Sequence, residues 1–184
     1  MSTFYRVHAW LPDASPGKPG HPLYVHPKRS AGRIDNPDYY DAIYVADSAA
    51  GAIAEVFASH HTWTPDLLAG PPYLGGSVRA LTTYSAELRV MDLNDPEGLL
   101  KIGQRPSRVV TRHRKLTQAW ALGIFHLGEV EGVSWWSYHD PDWASLGIWD
   151  MSGLQIQDTV ELKETTPAFV EARAILGRPW AEAI

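Results

Sequence analysis

GRIDNPDYYDAIYVADSAAGAIAE, residues 32–55, runs from a Gly-Arg pair through aromatics into a short strand, IYVA. A helix carrying one carboxylate, Glu55, follows at once. Ser48 stands where an N-cap belongs, its hydroxyl able to accept from the first free N–H groups of that helix. Over 48–60 a helix puts Ala49, Ile53, Val56 and Phe57 on one apolar stripe. The other side carries Gly51, Ala54, Glu55 and Ala58. A solvated face would normally hold Lys, Glu or Gln. Small residues around one acid let a neighbour approach closely and present the acid to it. That neighbour is either another element, with Glu55 at the rim of a tight helix contact, or a bound ligand.

Working outward, TFYRVHAW at 3–10 reads as a strand, and 42–46 as a short buried one. Residues 11–31 and 62–76 are rich in Pro and Gly without periodicity and read as long loops. Val78, Ala80, Tyr84, Ala86, Leu88 and Val90 alternate as one long strand. Val109, His113, Leu116, Trp120, Ile124 and Leu127 recur at spacings of three and four, predicting a helix over about 107–126. VSWWS, SLGIWD and LQIQDTVEL are strand-like. Thr166-Pro167 starts a last helix, with Pro at its first position, and Gly177 stops it. Strands and helices mix with no βαβ rhythm. That predicts a compact α+β fold with mixed or antiparallel sheet, as one domain over 1–184.

The chain has 184 residues, a formal net charge of −5, no cysteine, eight Trp and eight Tyr. The charge argues against nucleic-acid binding by bulk electrostatics. No apolar run is long enough for a membrane helix. The first residues lack a basic region followed by a long apolar core, so no secretory leader is expected. Lack of cysteine excludes disulfides and thiolate chemistry, and fits a cytoplasmic protein. Abundant aromatics fill cores but also line pockets for rings and sugars. No GxGxxG, P-loop, GxSxG or HExxH occurs. His60-His61 and His139-Asp140-Pro141-Asp142 lack a recognised ligand spacing, so no metal is expected.

Arg6, Arg33, Tyr44, Glu55 and Ser137 remain. Each has a plain structural reading. Together they suit a dinucleotide: guanidinium groups bind phosphate oxygens bidentately, a tyrosine stacks on a ring, and a serine bonds an amide or hydroxyl. A glutamate holds ribose hydroxyls or stabilises an oxocarbenium-like centre.

FYRV at 4–7, Gly32-Arg33, IYVADS at 43–48 with AIAE at 52–55, TQAWA at 117–121 and GVSWWS at 132–137 resemble the RES domain family. The resemblance runs from Arg6 to Trp149. It implies a fold similar to ADP-ribosyltransferases and cleavage of NAD, by hydrolysis, phosphorolysis or ADP-ribosyl transfer. It also implies the toxin role in a toxin–antitoxin pair, with a helix-turn-helix antitoxin as partner. By resemblance Glu55 and Ser137 are catalytic, and Arg6, Arg33 and Tyr44 bind NAD. Two segments depart from the family pattern: the loop 11–31, a local elaboration, and the unusually aromatic WWSYHDPDW. The alternatives are a non-catalytic module binding a nucleotide or protein, and a sugar-binding protein using 135–149.

Overall fold

Short strands at the centre of the sheet are mostly buried. β1 (Ser2–Trp10), β2 (Ile43–Ala46), β3 (Val78–Ala86), β4 (Val90–Asp92), β5 (Gly132–Trp136), β6 (Ala144–Ile148) and β7 (Gln155–Glu161) form a seven-stranded sheet among the described residues. They come from a computed structural model that describes residues 1–182. The last two positions of the expected 1–184 domain lie outside the described residues. Strand order is β4-β5-β6-β2-β1-β3-β7; neighbours are antiparallel except the parallel pair β4 and β5. The sheet is therefore mixed, as expected for α+β.

The helices are α1 (Ala49–Phe57), α2 (Pro96–Lys101), α3 (Pro106–Val109), α4 (Arg114–Leu127) and α5 (Pro167–Ile175). Ser48 caps α1: its Oγ accepts from Gly51 N–H at 3.0 Å. Pro167 opens α5 after Thr166, and Gly177 follows its end with φ of 61°. None of these is long and apolar enough to cross a membrane.

Three buried clusters hold the sheet. Ile53 and Phe57 of α1 pack with Trp63, Leu81 and Phe169 of α5. Trp120, Ala121 and Ile124 of α4 pack with Ile34, Val133 and Trp135. On β2 and β6, Ile43, Val45, Leu146 and Ile148 join Phe4 and Tyr84. Alternation then sends Tyr44 and Ser145 to the other face.

Two predicted elements divide. The strand expected over 78–90 ends at Ala86, and Val90–Asp92 reappear as β4 at the opposite edge, parallel to β5. Arg89 anchors the crossing: its N–H and guanidinium donate to the Glu131 carboxylate. The helix expected over 107–126 breaks between Val109 and Arg114. Side chains take the carbonyls there. Arg33 donates to Val109 and Thr111, Arg114 to Thr111 at 3.0 Å, and Trp120 to Arg108 at 3.3 Å. A carbonyl engaged in this way is pulled from the helical ladder.

Candidate active site

The sheet is split beside its centre. Every residue of β1 pairs with β3, from Ser2 opposite Ala86 to Trp10 opposite Val78. Among the described residues only Tyr5 of β1 meets β2, opposite Ala46. A cavity of about 230 Å³ lies in this divergence, walled by Arg6, Arg29, Tyr44, Trp135, Ser145 and Glu55 among others. A second cavity of about 250 Å³ adjoins it, with Arg33, Arg112, Arg114 and His139 in its wall. Glu55 belongs to both. It is the one carboxylate in either wall among the described residues.

Helix α1 brings Glu55 there, though not as its small residues suggest. Gly51, Ala54 and Ala58 are buried inside the protein, not at the cavity. A Cβ on Gly51 would stand 3.3 Å from the Trp143 ring and 2.7 Å from Ser48 Oγ. The small face is a tight packing face, and Ala52, Glu55 and Val56 are what reach the cavity.

Two serines orient the carboxylate. Ser137 Oγ donates to Glu55 Oε1 at 2.8 Å, and Ser145 Oγ donates to the same oxygen at 3.1 Å. Ser137 Oγ in turn accepts from His139 N–H at 3.2 Å. Ser145 had no separate signal in the sequence; it is one position of a strand, and only the pairing of β6 with β2 sets it beside α1.

The arginines do not meet on one surface. Arg6 sits in the first cavity, where its terminal nitrogens donate to the carbonyls of Pro22 at 2.7 Å and Tyr24 at 3.0 Å. Burial lowers its pKa, and nearby Arg29 adds to the effect. Arg33 sits in the second cavity, over Trp135 at 5.4 Å. Burial first, then the charge on Arg114, pulls its pKa down to about 10; Glu55 opposes the shift. Arg33 remains cationic at neutral pH. Each arginine lines one of the two cavities that share Glu55.

Tyr44 has a second task beside lining the cavity. Its hydroxyl donates to Asp35 Oδ1 at 2.7 Å and accepts from Ile34 N–H at 2.9 Å. Burial, reinforced by Asp35, raises its pKa. Asp35, itself buried, also accepts from Gly32 N–H at 2.6 Å and pairs with Arg29 at 3.6 Å. This network sets the turn that aims Arg33. Any Cβ at Gly32 would overlap the Tyr44 hydroxyl and the Asp35 carboxylate. The Arg29 guanidinium lies 4.7 Å from the centre of the Tyr44 ring, and Trp135 meets that ring edge-on at 6.3 Å. A ligand ring stacking on that face of Tyr44 would have to displace Arg29. Arg29 and Asp35 were not read from the sequence; an Asp three residues after a glycine in a loop was the available signal. Among the described residues no group of three His, Asp or Glu could hold a metal.

The fold is thus of the α+β class, its sheet opened beside its centre, with the Glu55 carboxylate shared by two arginine-bearing cavities. The family within that class follows from the sequence: the RES domain model matches residues 3–169, and the chain belongs to the RES domain family, which acts on NAD. No curated protein matches. A chain in the crystal structure of the M. tuberculosis MbcT–MbcA toxin–antitoxin complex is similar in fold, with a TM-score of 0.64 and 24% identity. The similarity covers 94% of this chain and 89% of that one.

Proposed function

We propose that this chain, as one RES-like domain, cleaves NAD at the bond between nicotinamide and ribose. The observation that carries the reading is the position of Glu55: held by Ser137 and Ser145, between two arginine-bearing cavities. Each cavity is smaller than the roughly 300–1,000 Å³ of a drug-sized ligand site. A dinucleotide therefore needs more than one of them, and the residue they share lies where its ribose would be.

In the proposed step the C–N bond breaks and its electron pair leaves with nicotinamide, discharging the pyridinium. Positive charge develops on the ribose, and the Glu55 carboxylate stabilises it. Arg6 or Arg33 holds the diphosphate, and Tyr44 packs on nicotinamide once Arg29 moves aside. Ser137 keeps Glu55 in its productive orientation. Water, phosphate or a macromolecular nucleophile then adds to the ribose carbon. The test is incubation of purified protein with NAD, with and without phosphate, and assay of free nicotinamide. Release is expected; intact NAD under both conditions would leave a non-catalytic binding module.

The same reading makes the chain the toxin of a toxin–antitoxin pair, acting in the cytoplasm and restrained by a helix-turn-helix antitoxin. Family membership and the fold shared with a chain of a toxin–antitoxin complex support it. An acidic segment or a C-terminal carboxylate suits the arginine-bearing walls as a plug. Expression without a partner should slow growth and lower cellular NAD.

A further inference from the structure

A third cavity, of about 380 Å³, lies on the far side of Arg6, under the 11–31 loop. Arg6, Val7 and Arg29 line both it and the cavity holding Glu55, so the two meet at these residues. Its wall adds Arg79, Tyr24, Tyr73 and the ring of His26, and contains no carboxylate among the described residues.

Arg79 is the informative member. Its Nε is buried without a hydrogen-bond partner, and a buried, unsatisfied guanidinium N–H is costly. Arg6 spends its terminal nitrogens on loop carbonyls, which neutralise no charge. His8, beneath them, is a neutral spacer. Its Nδ1–H donates to Ala9 O at 2.8 Å and its Nε2 accepts from the Thr82 hydroxyl at 2.8 Å. Three arginines thus surround a space with aromatic rings and no acid in its wall. Arg29 has Asp35 as its partner; an anion in the cavity supplies the charge that Arg6 and Arg79 lack.

We infer that this cavity is the subsite for the adenosine-phosphate end of the dinucleotide, with a phosphate on Arg79 and Arg6 and the base against Tyr73 or Tyr24. The inference rests on the NAD reading for its choice of ligand. It assigns Arg79 and Tyr73 to binding, and makes the 11–31 loop the roof of a substrate site.

The test is calorimetric titration of the full chain with AMP, inorganic phosphate and nicotinamide mononucleotide. It is repeated for Arg79→Gln and for Tyr73→Ala, whose side chain is exposed and holds no core. AMP should bind the unaltered chain more tightly than phosphate alone. Arg79→Gln should weaken AMP by about tenfold or more, as expected for a lost charge-assisted contact. Tyr73→Ala should weaken it about fivefold or more, the low end of base stacking. Neither should alter nicotinamide mononucleotide binding, and NAD should displace AMP from a Glu55→Ala chain. AMP affinity unchanged in both folded variants, phosphate binding as tightly as AMP, or AMP bound alongside NAD would each overturn the inference. Arg79-dependent AMP binding that NAD displaces, without nicotinamide release by the unaltered chain, would keep the subsite and remove the cleavage reading.

Discussion

Ser137 and Glu55 are 82 residues apart in sequence, and their Oγ and Oε1 atoms are 2.8 Å apart in the fold. The residue just past β5 and the last turn of α1 are thus joined at the carboxylate. Ser145 reaches the same oxygen from the neighbouring strand. A carboxylate held by two hydroxyls, one just past β5 and one on β6, cannot rotate freely. Its charge is fixed in direction before any ligand arrives, the condition under which a carboxylate stabilises a developing cation with least reorganisation.

Glu55→Ala should retain the fold, since the lost group faces a cavity and no large apolar surface goes with it. Nicotinamide release should fall by about a hundredfold or more, the scale of a lost electrostatic stabiliser. A well-folded variant with near-normal release would remove Glu55 from the chemical step.

Ser137→Ala and Ser145→Ala each take one donor from Oε1 and leave the other. Each should lower turnover by about tenfold, matching a hydrogen bond to a charge of roughly 1.5 kcal/mol. The double variant should lose more than the product of the two, because the carboxylate is then free to turn. Melting temperatures within a few degrees of the unaltered chain would show that the effect is orientation and not unfolding.

Asp35→Ala should destabilise the protein, although Asp35 itself lines neither of the cavities that share Glu55. It leaves the Gly32 N–H and the Tyr44 hydroxyl without their acceptor in a buried place. The expected cost is about 2–3 kcal/mol, read from denaturant unfolding. Asp35→Asn, which keeps an acceptor oxygen, should recover part of it.

His8 predicts a pH dependence. Burial first, then the charge on Arg6, lowers its pKa from 6.5 to about 4. The unfolded chain then binds the proton before the folded one does. The contribution of neutral His8 is fully present above about pH 6.5, declines as pH falls toward about 4, and is gone below that. The shift corresponds to about 3 kcal/mol at most. Unfolding free energies at pH 7 and pH 4.5 should differ less in His8→Gln than in the unaltered chain. An equal pH slope in both would show that other groups carry the acid sensitivity.

Local chemistry in the sequence was enough to place most elements. Ser48 before a helix, Thr166-Pro167 before another, and the strand patterns along 3–10 and 155–161 are signals carried within a few residues; each element forms where expected, although β7 lies largely exposed, Ile156 and Val160 included. Asp95-Pro96 is a signal of the same kind, capping and opening α2, which the sequence reading passed over. The resemblance of short motifs then named Arg6, Arg33, Tyr44, Glu55 and Ser137 without showing how they stand to one another. Only the tertiary structure decided that Val90 leaves β3 for the other edge of the sheet, and that the helix after Pro106 is broken. It alone set Arg6 and Arg33 in separate cavities that share Glu55, and drew Asp35, Arg29 and Ser145 into the site. The reason is physical. Periodicity records which side of a segment is buried, a property of neighbouring residues. Which strand it pairs with, and which distant arginine captures its carbonyls, are long-range choices settled by competition among the whole chain's surfaces, and they leave no local mark.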